Sequence, residues 1–167
     1  MSWVISIETK PIIKPISISY SKLSYDDIDS IVFIEHQNSQ NTWSKNQLVE
    51  SILNPTNLCY SMSIDNQILG FLMAMPADDS ADILNISISK EYQRKGYGKK
   101  LLNCLIEELK NRKIKVLILE VRESNQSAIS FYLKYGFEKI SLRKNYYMNN
   151  SKQTNQKEDG IIMRLKF

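Results

Sequence analysis

Gln93-Arg94-Lys95-Gly96-Tyr97-Gly98-Lys99-Lys100, running straight into Leu101-Leu102, is the stretch from which the rest of the chain is read. Two glycines one residue apart, flanked by basic residues, open here into an apolar-periodic helix. The first N–H groups of a helix have no partner within it and lie at the positive end of its dipole, so such a loop suits a phosphate. Glycine fits because a residue without Cβ takes left-handed backbone angles and lets a ligand come close. Two familiar glycine-loop readings fail on the residues. A dinucleotide fold needs Gly-x-Gly-x-x-Gly after the first strand, but Leu101 stands where the third glycine would be. A P-loop needs Gly-Lys-Ser/Thr, which does not occur.

The chain has 167 residues, 43% hydrophobic and 24% charged, which predicts one soluble domain with a sizeable core. The net charge of +4 is compatible with a polyanionic cofactor or with work near a ribosome, and by itself excludes little. No arginine-rich tail argues for direct nucleic-acid binding. No stretch approaches the roughly 18 apolar residues of a membrane span. Cys59, Cys104 and the single His36 lack metal-ligand spacing, so neither a metal site nor a disulfide framework is indicated. Residues 1–10 carry no signal-peptide pattern, and the expected location is cytoplasmic.

Residues 1–15, with Pro11 and Pro15, read as a loosely attached leader, followed by a domain over 16–167. Ile16–Tyr20 alternates as a strand does. Ser24 with Asp27, and Ser44 with Gln47, have capping-box spacing and predict helices over 25–37 and from 45 to Asn54-Pro55. Leu58–Ile64, Ile68–Met75 and Ala81–Ser89 read as a three-strand meander. In the third strand, Leu84, Ile86 and Ile88 are expected on one face and Asn85, Ser87 and Ser89 on the other. After the loop helix, Val116–Val121 reads as a central strand and Ser124 or Asn125 caps a helix that ends at Gly136. Phe137–Arg143 and Gly160–Phe167 are the last strands, and the polar stretch 149–158 is expected to link them loosely.

This order of elements, with Gln93-x-x-Gly96-x-Gly98, resembles the GNAT family of acetyl-CoA-dependent N-acetyltransferases. Further runs carry the resemblance toward its bacterial ribosomal-protein alanine N-acetyltransferase (RimI) group. They are Asn85-Ile86-Ser87-Ile88, Leu119-Glu120-Val121-Arg122-x-Ser124-Asn125-x-x-Ala128-Ile129-x-x-Tyr132, Arg143-x-Asn145-Tyr146-Tyr147 and Glu158-Asp159-x-Ile161-Ile162-Met163. The resemblance implies an α/β fold with a mixed, mostly antiparallel sheet of about seven strands and about four helices. It implies acetyl transfer from acetyl-CoA to a protein N-terminus, the alanine of small-subunit ribosomal protein eighteen. Acetylation of lysine or a small amine, or a non-catalytic acyl-CoA sensor, are the alternatives that stay open.

Glu120 lies in an apolar strand on the face of Ile118 and Arg122. An ion pair with Arg122 would explain it, as would a general base serving the attacking amine. In the group resembled, the equivalent glutamate is the proposed base. Tyr132 shares a helix face with Asn125 and Ala128. It is either a core residue or, by the GNAT pattern, the acid that protonates the departing CoA thiolate. The resemblance assigns the pantetheine arm to the backbones of Ile86, Ser87 and Ile88 and to Asn125, which could equally be a plain N-cap. It assigns the pyrophosphate to Arg94, Lys95, Gly96, Tyr97, Gly98 and Lys99. Tyr146, Tyr147 and Glu35 are placed by position alone near the acceptor.

Overall fold

The computed structural model describes residues 17–38, 42–148 and 157–167. The expected leader and residues 149–156 lie outside this range. Lys157 and Glu158, expected in the link, instead begin the last strand. In chain order the elements are β1 (Ile18–Lys22), α1 (Ile28–Asn38), α2 (Lys45–Leu53), β2 (Leu58–Ile64), β3 (Gln67–Ala77) and β4 (Ser80–Ile88). There follow α3 (Tyr97–Asn111), β5 (Val116–Arg122), α4 (Gln126–Tyr135), β6 (Glu138–Met148) and β7 (Lys157–Lys166).

Both capping boxes form. The N–H of Ser24 donates to Asp27 Oδ2 at 2.8 Å, one short turn before α1. At α2, the N–H of Ser44 donates to Gln47 Oε1 at 2.9 Å and the N–H of Gln47 to Ser44 Oγ at 3.3 Å. These bonds satisfy orphan amides at helix starts that water would otherwise have to serve.

The seven strands form one sheet in the order β1-β2-β3-β4-β5-β7-β6. Every neighbouring pair is antiparallel except β4 with β5. Strand alternation divides the core between two faces. One face carries Leu72, Ile83, Leu117, Leu119 and Met163, covered by the apolar sides of α3 and α4. The other carries Phe71 and Met73 beneath Ile28, Ile31 and Ile34 of α1 and Leu48 of α2.

The expected phase of β4 needs correction. Ala74 pairs with Ile83 and Met73 with Asn85, so Leu84 is an extra residue without a partner, a β-bulge. The bulge shifts the alternation by one. Ile86 and Ile88 join the α3/α4 face, while Leu84 packs against the α1/α2 cluster.

Candidate active site

The bulge coincides with the end of the parallel ladder. β4 and β5 pair only over Ser80–Ile83 and Val116–Leu119. Past that point each strand continues without the other, and a cleft of about 540 Å³ opens at the seam. Ile86, Ser87 and Ile88 form one wall of the cleft, and Asn125, Ala128 and Tyr132 of α4 line it as well. Ser89 N–H donates to Leu69 O on β3 at 2.8 Å. Since backbone groups alternate along a strand, Ser87 also spends its peptide groups on β3, opposite Phe71. Those of Ile86 and the N–H of Ile88 turn the other way, to the open edge, while Ile88 O is taken by the side chains of Gln93 and Asn38. Of the three residues expected to hold an arm by backbone, Ser87 is therefore the exception.

The glycine loop closes one end of the cleft with Arg94, Gly96, Gly98 and Lys99. Gly96 has φ +84° and is the N-cap of α3, with no side chain to satisfy the first-turn amides. Arg94 is also left-handed, with φ +58°. At Gly98 a Cβ would make only ordinary contacts, 3.7 Å from Phe131 Cζ and 3.9 Å from Ile88 Cγ1, so these neighbours do not themselves demand glycine there. Unpaired helix amides beside two cationic side chains, next to an open strand edge, fit a pyrophosphate with an extended amide-bearing arm. The side chains of Lys95 and Tyr97 are not part of this wall. Lys95 Nζ lies 5.5 Å from the centre of the Tyr92 ring, and Tyr97 packs edge-on against the same ring at 6.0 Å.

A side-chain latch holds the loop to α1. Gln93 Nε2 donates to Ile88 O at 2.9 Å and to Asn38 Oδ1 at 2.7 Å, while Asn38 Nδ2 donates to Ile88 O at 2.9 Å. Glu35, one turn earlier, is only 5% exposed. It accepts from Ser87 Oγ at 3.0 Å and from the N–H of Trp43 at 3.2 Å. It ties α1 and the entry to α2 onto β4.

Glu120 and Tyr132 lie on opposite faces of the seam. Tyr132 is buried in the α3/α4 cluster, and burial raises its phenol well above the usual tyrosine value. Glu120 alternates away from Leu119 and Val121 to the other face. Its Oε2 accepts from Arg143 Nη1 at 3.0 Å, and Tyr147 lies beside it, the phenol raised by burial first and then by this carboxylate. Arg122, the ion-pair partner expected from the sequence, turns instead to Glu158, with Nη1 3.2 Å from Oε2. Tyr146 packs edge-on to Tyr147 at 5.0 Å, under the Arg143 guanidinium at 4.9 Å.

Residues 25–137 match the model of the acetyltransferase (GNAT) family. The chain belongs to the GNAT family. A relative from Haemophilus influenzae, "[Ribosomal protein bS18]-alanine N-acetyltransferase", is 37% identical over 147 residues, spanning 86% of this chain and 94% of the relative. The crystal structure of the ribosomal-protein-S18-alanine N-acetyltransferase from Escherichia coli superposes with a TM-score of 0.81 at 32% identity. It covers 90% of this chain and 94% of that one. A GNAT family acetyltransferase from Elizabethkingia anophelis, solved with acetyl-CoA bound, shares the fold (TM-score 0.71, 22% identity, 90% and 98% covered).

Within this GNAT fold, Tyr132, Asn125 and the loop residues Arg94, Gly96, Gly98 and Lys99 line one cleft, while Glu120 stands on β5 one residue past the β4–β5 ladder and is not among the residues lining it. Asn125 is the N-cap of α4, its Oδ1 accepting the N–H of Ala128 at 3.1 Å, and it also lines the cleft. Asn38 and Arg143 were not singled out. Asn38 is one polar residue at the end of an ordinary helix, with nothing in its neighbourhood to mark it. Arg143 was quoted in the Arg143-x-Asn145-Tyr146-Tyr147 run but gained no partner, because its partner lies 23 residues away. Among the described residues no three or more His, Cys, Asp or Glu side chains converge as a metal site would require. None of their helices is long and apolar enough to cross a membrane.

Proposed function

We propose that this enzyme transfers acetyl from acetyl-CoA to the N-terminal alanine amine of ribosomal protein bS18, by direct amine attack. The observation that carries the acceptor is the named activity of relatives matched over nearly their whole length. Support for the donor comes from the seam, whose open β4 edge suits an extended arm and whose α3 N-terminus suits a pyrophosphate. Ile86 through its peptide groups and Ile88 through its N–H would hold that arm, with Asn125 on the far wall. Arg94, Lys99 and the amides from Gly96 to Lys99 would hold the phosphates, and the N–H groups of Lys95 and Tyr97 can still contribute although their side chains turn away.

Glu120, directly or through one water, takes a proton from the ammonium so that the nitrogen carries a free lone pair. The nitrogen attacks the thioester carbonyl carbon, the C–N bond forms, the nitrogen releases its second proton to water, and collapse of the tetrahedral species breaks C–S. The electron pair leaves on sulfur. Tyr132, kept as a phenol by its burial, donates a proton to that thiolate. Base and acid on opposite faces of the seam suit this order, with the amine arriving on one side of the thioester and sulfur departing on the other.

The test is CoA release from acetyl-CoA in the presence of one of three acceptors. They are a peptide with the bS18 N-terminus, the same peptide with a blocked N-terminus and an internal lysine, and a set of small amines. Turnover is expected with the first alone. Turnover with only the lysine or amine acceptors would overturn the acceptor assignment, and tight CoA binding without any turnover would overturn the enzyme reading.

A further inference from the structure

Arg122 has no part in the reaction described above, yet three strands and a turn converge on it. It stands on β5 two residues beyond Glu120 and on the same face. Its Nη1 donates to Glu158 Oε2 on β7, and its guanidinium carbon lies 4.1 Å from the centre of the Tyr147 ring on β6. The other carboxylate oxygen of Glu158 accepts the N–H of Ser124 at 2.6 Å, in the turn that leads to α4. Burial works to raise the carboxyl of Glu158, but the Ser124 bonds and the Arg122 charge outweigh it and hold the group below the usual carboxylate range. The Arg122–Glu158 pair is therefore intact at neutral pH.

The Tyr147 ring links this pair to Glu120. The ring stacks on the Arg122 guanidinium, and its Cε2 edge and Glu120 Oε1 flank the same point above Gly160, close enough that the carboxylate adds to the raising of the phenol. Gly160 lets the three groups come together. A Cβ at that position would stand 3.1 Å from Glu120 Oε1 and 3.2 Å from Tyr147 Cε2. Arg143, on the outer side of Glu120, is by contrast 52% exposed and is free to part from it when an acceptor enters.

We propose that Arg122, fixed by Glu158, is a positioning residue that orients Glu120 through the Tyr147 ring. The inference rests on Glu120 being the group that takes the amine proton. Glu158 neutralises Arg122, so the guanidinium can brace the ring without also tying up the base. Stacking of a planar guanidinium on an aromatic face restrains the ring in both tilt and height, which a point charge does less well.

Rates are to be measured for Arg122→Gln and Glu158→Gln, each alone and combined with Glu120→Gln. Each single change is expected to lower kcat about 10- to 100-fold, the scale of a small misplacement of a reacting group, with acetyl-CoA affinity unchanged. Neither is expected to lower the residual rate of Glu120→Gln further, because their effect passes through the missing carboxylate. Equal fold-losses in both backgrounds would overturn the brace. A fully active Glu120→Gln would instead overturn the base assignment, which is a different result. Should the residual rate fall below detection, ring-labelled tyrosine NMR decides. Arg122→Gln must move the Tyr147 signal, assigned by its absence in Tyr147→Phe, and must move the Glu120 side-chain carboxyl carbon. If the Glu120 signal stays in place, the brace is overturned.

Discussion

Tyr132 is deeply buried and yet lines the cleft, and burial keeps its proton in place throughout the neutral range. Removing that hydroxyl in Tyr132→Phe keeps the ring packing against Phe131 and Phe137. The expected result is a fall in kcat of about 100-fold or more, the lower end of what a positioned acid contributes, with acetyl-CoA affinity nearly intact. Steady-state rates and calorimetric titration with acetyl-CoA check the two parts separately, and a collapse of affinity would make Tyr132 a binding residue. Glu120→Gln is expected to lose rate to a similar degree and to retain its fold. Both residues were legible in the sequence for physical reasons. A carboxylate inside an apolar strand is conspicuous, and a tyrosine seven residues after a cap residue falls on the cap's own side of the helix. Their partners were less legible. Arg122 was the one cation visible near Glu120 along the chain, and only the pairing of β5 with β7 and of β7 with β6 brings Arg143 closer.

At the level of elements, the glycine loop depends on a residue that its motif contains but that does not belong to its phosphate-binding part. Gln93 reaches back to Ile88 O and Asn38 Oδ1, so α1 and the end of β4 set the position of the loop. Gln93→Ala removes both bonds and leaves Ile88 O with the Asn38 amide alone. Losing hydrogen bonds of this kind costs about 1–3 kcal/mol, so acetyl-CoA affinity is expected to weaken about tenfold or more with kcat at saturation little changed. Calorimetry and saturation kinetics would show it, and unchanged affinity would mean that the loop is self-supporting. Elements governed by local rules were readable: both capping boxes, the β2–β3 hairpin, and the five buried residues of α3 from Leu101 to Leu109. Elements altered by irregular pairing were not. The bulge at Leu84 reverses a face without any change in residue type. In β6, the register slips between Arg143 and Tyr147, with Asn145 in the left-handed region at φ +55°. That slip carries the strand on to Met148, beyond where alternation ends.

For the whole molecule, the phenols set an upper pH limit. Tyr132 and Tyr147 are both raised, Tyr132 by burial and Tyr147 by burial first and then by Glu120. Tyr20 is pushed up to about 12, by burial and then by Cys104. A phenol whose folded value lies above its unfolded value of about 10 adds stability that is complete below that pH and is lost as the pH rises through the folded value. Denaturant melts are therefore expected to show constant stability up to about pH 9 and a steady fall from about pH 10 upward, less steep in Tyr132→Phe. Glu158 works in the opposite sense. Its contribution is present above the unfolded carboxylate value and disappears as the pH falls through its lowered folded value. The resemblance implied the number of strands and a mostly antiparallel sheet, but the order of strands came only with the structure. No local signal says that β7 inserts between β5 and β6, because that choice is made by burial of Ile161 and Met163 beneath α4 and not by any turn.

Only four residue pairs join β4 to β5, so the sheet is two plates stitched at one end. On the proposed reading the acetyl donor supplies the missing stitches, and the polypeptide is an incomplete structure until its substrate arrives. Binding and folding then share one free-energy account. Donor at about a hundred times its dissociation constant would add about 2.7 kcal/mol to the stability of the protein. The resistance of this chain to unfolding, and so its lifetime among proteases, would rise and fall with the supply of acetyl-CoA around it.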